Sequence, residues 1–208
     1  MNEHPHSLWR PHRPLVLASR SEARLSMLER AGIRVETAYP HVDERSEEQA
    51  FGINISPRLI AMNLAKLKAF DVAKRKPDRI VLGSDQTLEL DGTTHSKAQS
   101  MGEARARLLS MSGRTHELHS AYTLACNNEI VASGIRTAKI TVRSLNAEFI
   151  DAYLEACGES VLGSVACYRV EELGAQLLEN IEGDWFTVLG LPLMDVLSDL
   201  RNSRHLLS

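Results

Sequence analysis

The chain has 208 residues, 43% of them hydrophobic, and its 24 basic and 27 acidic residues give a formal charge of −3. That length can bury one sizeable core, in one domain or two tightly fused lobes. Without a basic excess, a nucleic-acid polymer or a membrane surface is disfavoured as a partner. A small anionic substrate stays open, because local basic residues decide that.

Cys126, Cys157 and Cys167 are odd in number and fit no zinc-ligand spacing, so reduced thiols in a cytosolic protein are expected. No apolar run reaches the roughly 18 residues of a membrane helix. The opening "MNEHPHSLWRPHRP" lacks the apolar core of a signal peptide. With its histidines and prolines it reads as a flexible arm over residues 1–13, ahead of a single domain over 14–208.

The elements follow in order. "PLVLAS" (14–19) reads as a buried strand, and "SEARLSMLERAG" (21–32) as a helix stopped by Gly32. "IRVETAYP" (33–40) alternates like a strand. Residues 56–78 form the clearest helix. Ser56 suits its cap, Pro57 its first position, and Leu59, Ile60, Leu64 and Leu67 its apolar stripe. An apolar strand from Ile80 to Gly83 runs into Asp85, and a second strand, "LELDGTT", leads to a tight turn at Asp91-Gly92.

Ser100 and Glu103 have capping-box spacing before a helix that reaches about Met111. Residues 115–144 alternate around a hairpin turn at Asn127-Asn128. A capped helix (146–158), a strand near Ala175–Ile181 and a final helix (193–202) complete the chain. Mixed elements with an antiparallel hairpin predict an α/β fold with a mixed, twisted sheet and flanking helices, not a purely parallel sheet.

The phosphate-loop, dinucleotide, zinc-protease and hydrolase signatures are all absent. Charged residues at unusual places are what is left. Asp85, just beyond an apolar strand, stands where α/β proteins place ligand clefts, or else caps the following turn. Glu44, at the end of a predicted strand, is a second acid with a solvated loop as its plain alternative. Lys68, at the edge of an apolar stripe, and Lys97 are anion ligands or surface lysines. Ser21 and Arg24 open a helix whose N-terminus welcomes phosphate, or simply cap it. His116 and His119, three apart on a strand, face opposite sides and read as packed or exposed histidines, not a joint metal site. Cys167 reads as a packed thiol.

As an ordered set, these stretches resemble the Maf family of nucleotide pyrophosphatases. The matches are "LASRSEAR" (17–24), "VDE" (42–44), "LAKLKA" (64–69), "GSDQT" (83–87), "SK" (96–97), "SGRTHELHSA" (112–121) and "YRVEELGAQLLENIEGDWFTVLGLPL" (168–193). The resemblance implies an elongated, two-lobed fold of the Maf/ITPase kind with a central cleft, often paired as a homodimer. It implies hydrolysis of a nucleoside triphosphate to monophosphate and pyrophosphate, clearing modified or non-standard nucleotides. Asp85 would be the general base and Glu44 a catalytic or metal carboxylate, the two holding a divalent cation. Ser21, Arg24, Lys68 and Lys97 would meet the phosphates. Oxygen ligands favour Mg²⁺ or Mn²⁺ over zinc.

Three departures matter. Glu22-Ala23 replaces the family's Pro-Arg, Gln86 stands where many members have threonine, and Glu171 replaces a glutamine. Gln86 and Glu171 resemble the branch that prefers 7-methyl-GTP. A carboxylate accepts the adjacent N–H donors of guanine, and a methylated, cationic guanine favours an acid further. The lost arginine leaves a second reading open: a nucleotide-binding regulator of cell division with little turnover.

Overall fold

The structure is a computed structural model that describes residues 8–52 and 55–207. Its sheet has seven strands in the order β2-β1-β3-β5-β6-β7, with β4 pairing with β3. Strands β1 (Leu15–Ala18), β2 (Val35–Thr37) and β3 (Val81–Leu90) pair in parallel; β4 (Thr93–His95), β5 (Thr115–Cys126), β6 (Glu129–Val142) and β7 (Leu178–Glu182) add antiparallel ladders. The expected mixed sheet with flanking helices is what forms. β1 is buried along its whole length, as a parallel strand covered on both faces should be.

Local signals place most boundaries. Helix α1 (Glu22–Arg30) is capped by Ser21, α3 (Pro57–Arg75) by Ser56, α4 (Met101–Met111) by Ser100 and α5 (Ala147–Cys157) by Asn146. Each cap side chain accepts a backbone N–H of the first turn, a donor with no partner inside the helix. The turns Asp91-Gly92 and Asn127-Asn128 have positive φ at both central residues, the geometry that suits the twist of a two-residue hairpin. A short helix, α6 (Trp185–Val188), and the last helix, α7 (Leu193–Asn202), follow.

Four expectations change. β3 is one ten-residue strand, so Asp85 lies inside it, not beyond its end. Glu44 does not end a strand; it is the first residue of a short helix, α2 (Glu44–Ala50), capped by Asp43. No residue of α2 is buried, so apolar spacing gave no sign of it. The stretch Leu173–Leu177 is a 3-10 turn ahead of β7. Finally, residues 1–7 of the anticipated arm lie outside the described residues, but Trp9 is buried, bridged to Leu206 and stacked on His205. Its large apolar ring gains more by packing against the C-terminal segment than by staying in water.

Helix α3 packs on β3 through small residues. Of the expected stripe, Ile60 and Leu64 are buried and Leu67 is half-buried, but Leu59 is 49% exposed, and Ala61, Ala65, Ala69 and Val72 complete the buried face. Gly83 explains this: a Cβ there would stand 2.2 Å from the carbonyl oxygen of Ala65 and 2.5 Å from the nitrogen of Ala69. Glycine against alanine lets helix and strand backbones touch. Two large apolar clusters share the long strands. One centres on α4, α5 and the β5–β6 hairpin, the other on β1, α1 and α7.

Candidate active site

The cleft opens where one edge of β3 loses its neighbours. β1 pairs with Val81–Gly83 and ends at Ala18, and β4 begins pairing only at Leu88. Residues 84–87 therefore lack a strand on that side. Along them, side chains alternate between the two faces of the sheet. Asp85 faces α3, where Lys68 meets it. Ser84 and Gln86 face the loop around Gly190, where Ser84 Oγ donates to the Gly190 carbonyl at 3.2 Å.

The cleft measures about 1240 Å³, and Ser21, Arg24, Glu44, Lys68, Asp85, Gln86, Lys97 and Glu171 all line it. Tertiary structure thus brings every candidate site residue to one place. They do not all have free side chains there.

Lys68 is the centre. It lies on the buried face of α3, 6% exposed, with Nζ 2.6 Å from Asp85 Oδ1 and 2.8 Å from Glu44 Oε1. Burial pushes the Asp85 carboxyl above the ordinary aspartate value, against the pull of Lys68 and Arg24. Burial also acts to raise Glu44, but Lys68, Lys97 and Arg24 outweigh it and hold that group below its ordinary value. Lys97 is exposed by area yet lines the cleft. Desolvation there, with Arg24 beside it, lowers it below the ordinary lysine value.

Ser21 and Arg24 are partly committed elsewhere. Ser21 Oγ accepts the Arg24 backbone N–H at 3.3 Å. The Arg24 guanidinium donates from Nε to the Gly190 carbonyl at 2.8 Å and from Nη1 to the Ser84 carbonyl at 2.9 Å and Ser19 Oγ at 3.2 Å. It closes the open edge of β3 where β1 ends, and Nη2 is left without a hydrogen bond among the described residues. Gln86 is more committed still. Its amide N–H groups face Ser120 Oγ at 3.0 Å and the Thr187 and Val188 carbonyls, both at 3.1 Å. Only its carbonyl oxygen is spared. Glu171 is exposed in the cleft.

Sequence reasoning missed Glu48. It lines the cleft one helical turn after Glu44 and accepts the Ser96 hydroxyl at 3.0 Å. Burial raises its carboxyl, and Asp85 and Glu44 add to that against the Ser96 hydrogen bond. The i, i+4 spacing in "ERSEEQA" carries the signal once a helix is recognised there.

The donor set fits a hard divalent cation. Asp85 and Glu44 each give one oxygen to Lys68 and have a second oxygen without a protein partner among the described residues. A different group, Glu89, Glu117 and His119, also has ligand spacing, but it does not line the cleft. Its members are already partnered. His119 Nε2 is 2.9 Å from Glu89, His119 Nδ1 is 2.8 Å from Thr137 Oγ1, and Lys139 is 3.6 Å from Glu117. His116 lies apart and pairs with the Tyr168 hydroxyl at 2.8 Å; the two histidines face opposite sides, as their spacing implied, and both are packed. Cys167 is fully buried.

The chain is similar to known proteins along most of its length. The family model described as Maf-like protein matches residues 14–203. A nucleoside triphosphate pyrophosphatase of Rhodopseudomonas palustris (strain BisB18) is 45% identical over 200 residues, spanning 96% of this chain and 98% of its own. A 7-methyl-GTP pyrophosphatase of Rhizobium meliloti (strain 1021) is 45% identical over 188 residues, spanning 90% and 94%. A nucleoside triphosphate pyrophosphatase of Caulobacter vibrioides is 44% identical over 189 residues, spanning 90% and 94%. The match runs from the first strand through the last helix and takes in every residue of the cleft named above, so the chain belongs to the Maf family.

Proposed function

We propose that this protein hydrolyses a nucleoside triphosphate to the monophosphate and pyrophosphate. The observation that carries this is the buried Lys68 ammonium shared by Asp85 and Glu44 on the floor of a cleft that also presents Arg24 and Lys97. Water attacks the α-phosphorus, its proton passes to Asp85, and the bridging P–O bond to the β-phosphate breaks. Burial makes Asp85 a stronger base than an exposed aspartate. Lys68 holds that carboxylate in one orientation. Lys97, Arg24 Nη2 and the N-terminus of α1 meet negative charge on the phosphates, so catalysis is mostly positioning and charge neutralisation.

Mg²⁺ or Mn²⁺ would be held by the spare oxygens of Asp85 and Glu44, adding positive charge beside the triphosphate. The substrate we favour is 7-methyl-GTP. Glu171 is exposed in the cleft to accept guanine N–H donors, and relatives bearing that name are 41% and 45% identical to this chain. Free cysteines fit a cytosolic location, and no helix among the described residues is long and apolar enough to cross a membrane. A homodimer belongs to the same proposal. β6 pairs with β7 only from Lys139 onward, leaving Ile130 and Val131 exposed on its open part.

Pyrophosphate release across a panel of nucleoside triphosphates, with Mg²⁺ and with a chelator, tests the reading. Release of pyrophosphate and monophosphate supports it, and release of orthophosphate and diphosphate assigns a different bond. Binding of nucleotide with no turnover of any triphosphate, 7-methyl-GTP included, would sink it.

A further inference from the structure

Two stretches of the cleft wall have no strand or helix of their own: residues 96–100, which carry Lys97, and residues 164–172, which carry Glu171. No ladder among the described residues fixes their separation, so other ties must. The Cys167 thiol of the second stretch faces the Ala98 backbone N–H of the first, and one side chain bonds to carbonyls in both stretches. Arg107, half-buried on α4, donates from the same Nη1 to the carbonyl of Ser96 and, at 2.8 Å, to the carbonyl of Val165. Ser96 is also held from the cleft side, where its hydroxyl donates to Glu48. Arg107 does not itself line the cleft.

A guanidinium is rigid and permanently charged, and two carbonyls on one of its nitrogens stand at a fixed distance. We infer that Arg107 sets the spacing between the phosphate-binding lysine and the base-reading glutamate, so that both ends of one nucleotide are recognised together. It is a positioning residue for substrate selectivity. This rests on Lys97 meeting phosphate and Glu171 meeting the base, as proposed above.

Two anchors at fixed spacing act on a bound nucleotide as a unit, so their separate losses do not multiply. The experiment is a double-mutant cycle on kcat/KM for the best substrate of the panel, using Lys97→Ala and Glu171→Ala. It is run in the wild-type, Arg107→Met and Arg107→Lys backgrounds, with melting temperature measured for each. With Arg107 present, the double variant should lose about tenfold less than the product of the single losses. With Met or Lys at 107, the losses should multiply to within about twofold. Lysine keeps the charge, but its ammonium falls short of the Nη1 position, so it serves as the test if the methionine variant does not fold. A purely structural role for Arg107 would lower the melting temperature and scale all rates alike without altering the coupling.

Unchanged coupling in a folded Arg107→Lys or Arg107→Met protein overturns the inference while leaving the proposed function standing. The underlying roles are checked by the single variants in the wild-type background. Lys97→Ala should weaken all nucleotides alike, and Glu171→Ala the best one selectively. If they do neither, those roles fail, and the inference with them.

Discussion

Lys68 and Asp85 form an ion pair at 2.6 Å in which the side chains are 7% and 8% exposed. Such a pair contributes little net stability, because desolvating both charges offsets most of their attraction. Losing one partner is costly, since the other is left buried and alone. It lies at the bottom of the cleft with Glu44 on the same ammonium, and the proposed function gives it a catalytic role.

Asp85→Asn should keep the fold and lose activity. Asparagine keeps an acceptor for Lys68, which Glu44 also holds, but it takes no proton from water. Turnover should fall by about 10²- to 10⁴-fold, with KM little changed. Pyrophosphate release and a thermal melt on the same sample check both halves. Full activity in the variant would remove Asp85 as the base.

Lys68→Met should cost about 3–5 kcal/mol of stability as well as activity, because Asp85 stays buried without its partner. Urea unfolding measures the loss. A change below about 1 kcal/mol would show that the pair is not held as described.

The pH dependence of kcat/KM should be narrowed from both sides. Asp85 is raised, so the active carboxylate is lost on acidification at a pH above the ordinary aspartate range. Lys97 is lowered, so phosphate binding weakens on the basic side before ordinary lysine would titrate. Because the groups interact, the limbs belong to the cluster and not to single residues. Lys97→Arg, which stays charged, should extend the basic limb.

Gly83→Ala should destabilise the protein by about 1–3 kcal/mol or more, because its methyl would collide with the α3 backbone at Ala65 and Ala69. The same shift would pull Lys68 away from Asp85, so residual folded protein should also turn over slowly. Circular dichroism melts and activity at a temperature below the transition test the two effects.

Gln86 and Glu171 should separate on mutation. Gln86→Thr removes a donor shared by Ser120, Thr187 and Val188, and should cost about 1–3 kcal/mol along with any change in selectivity. Glu171→Gln lies exposed in the cleft and should leave stability within about 0.5 kcal/mol, while lowering kcat/KM for 7-methyl-GTP relative to UTP. Equal ratios in wild type and Glu171→Gln would remove Glu171 from base recognition.

The sequence by itself determined the local pieces. Ser21, Ser56, Ser100 and Asn146 mark helix starts because an unpaired N–H needs a side-chain oxygen next to it in the chain. The two hairpin turns were legible because only a few residues tolerate positive φ. Apolar spacing located α3, and the ordered motifs named the acids and cations of the cleft. What depends on distant contacts was not legible. The α2 helix carries no apolar face, so nothing local announced it, and Glu48 went with it. Lys68 reads as a surface lysine until Gly83 brings α3 close enough to bury it against Asp85. Arg24 and Gln86 look free in the chain, yet each commits donors to the segment 187–190, about a hundred residues or more away. Capping and turn geometry act over a few bonds and so are written in neighbouring residues. Burial, hydrogen-bond partnership and pKa depend on which surfaces meet, and only the tertiary structure decides that.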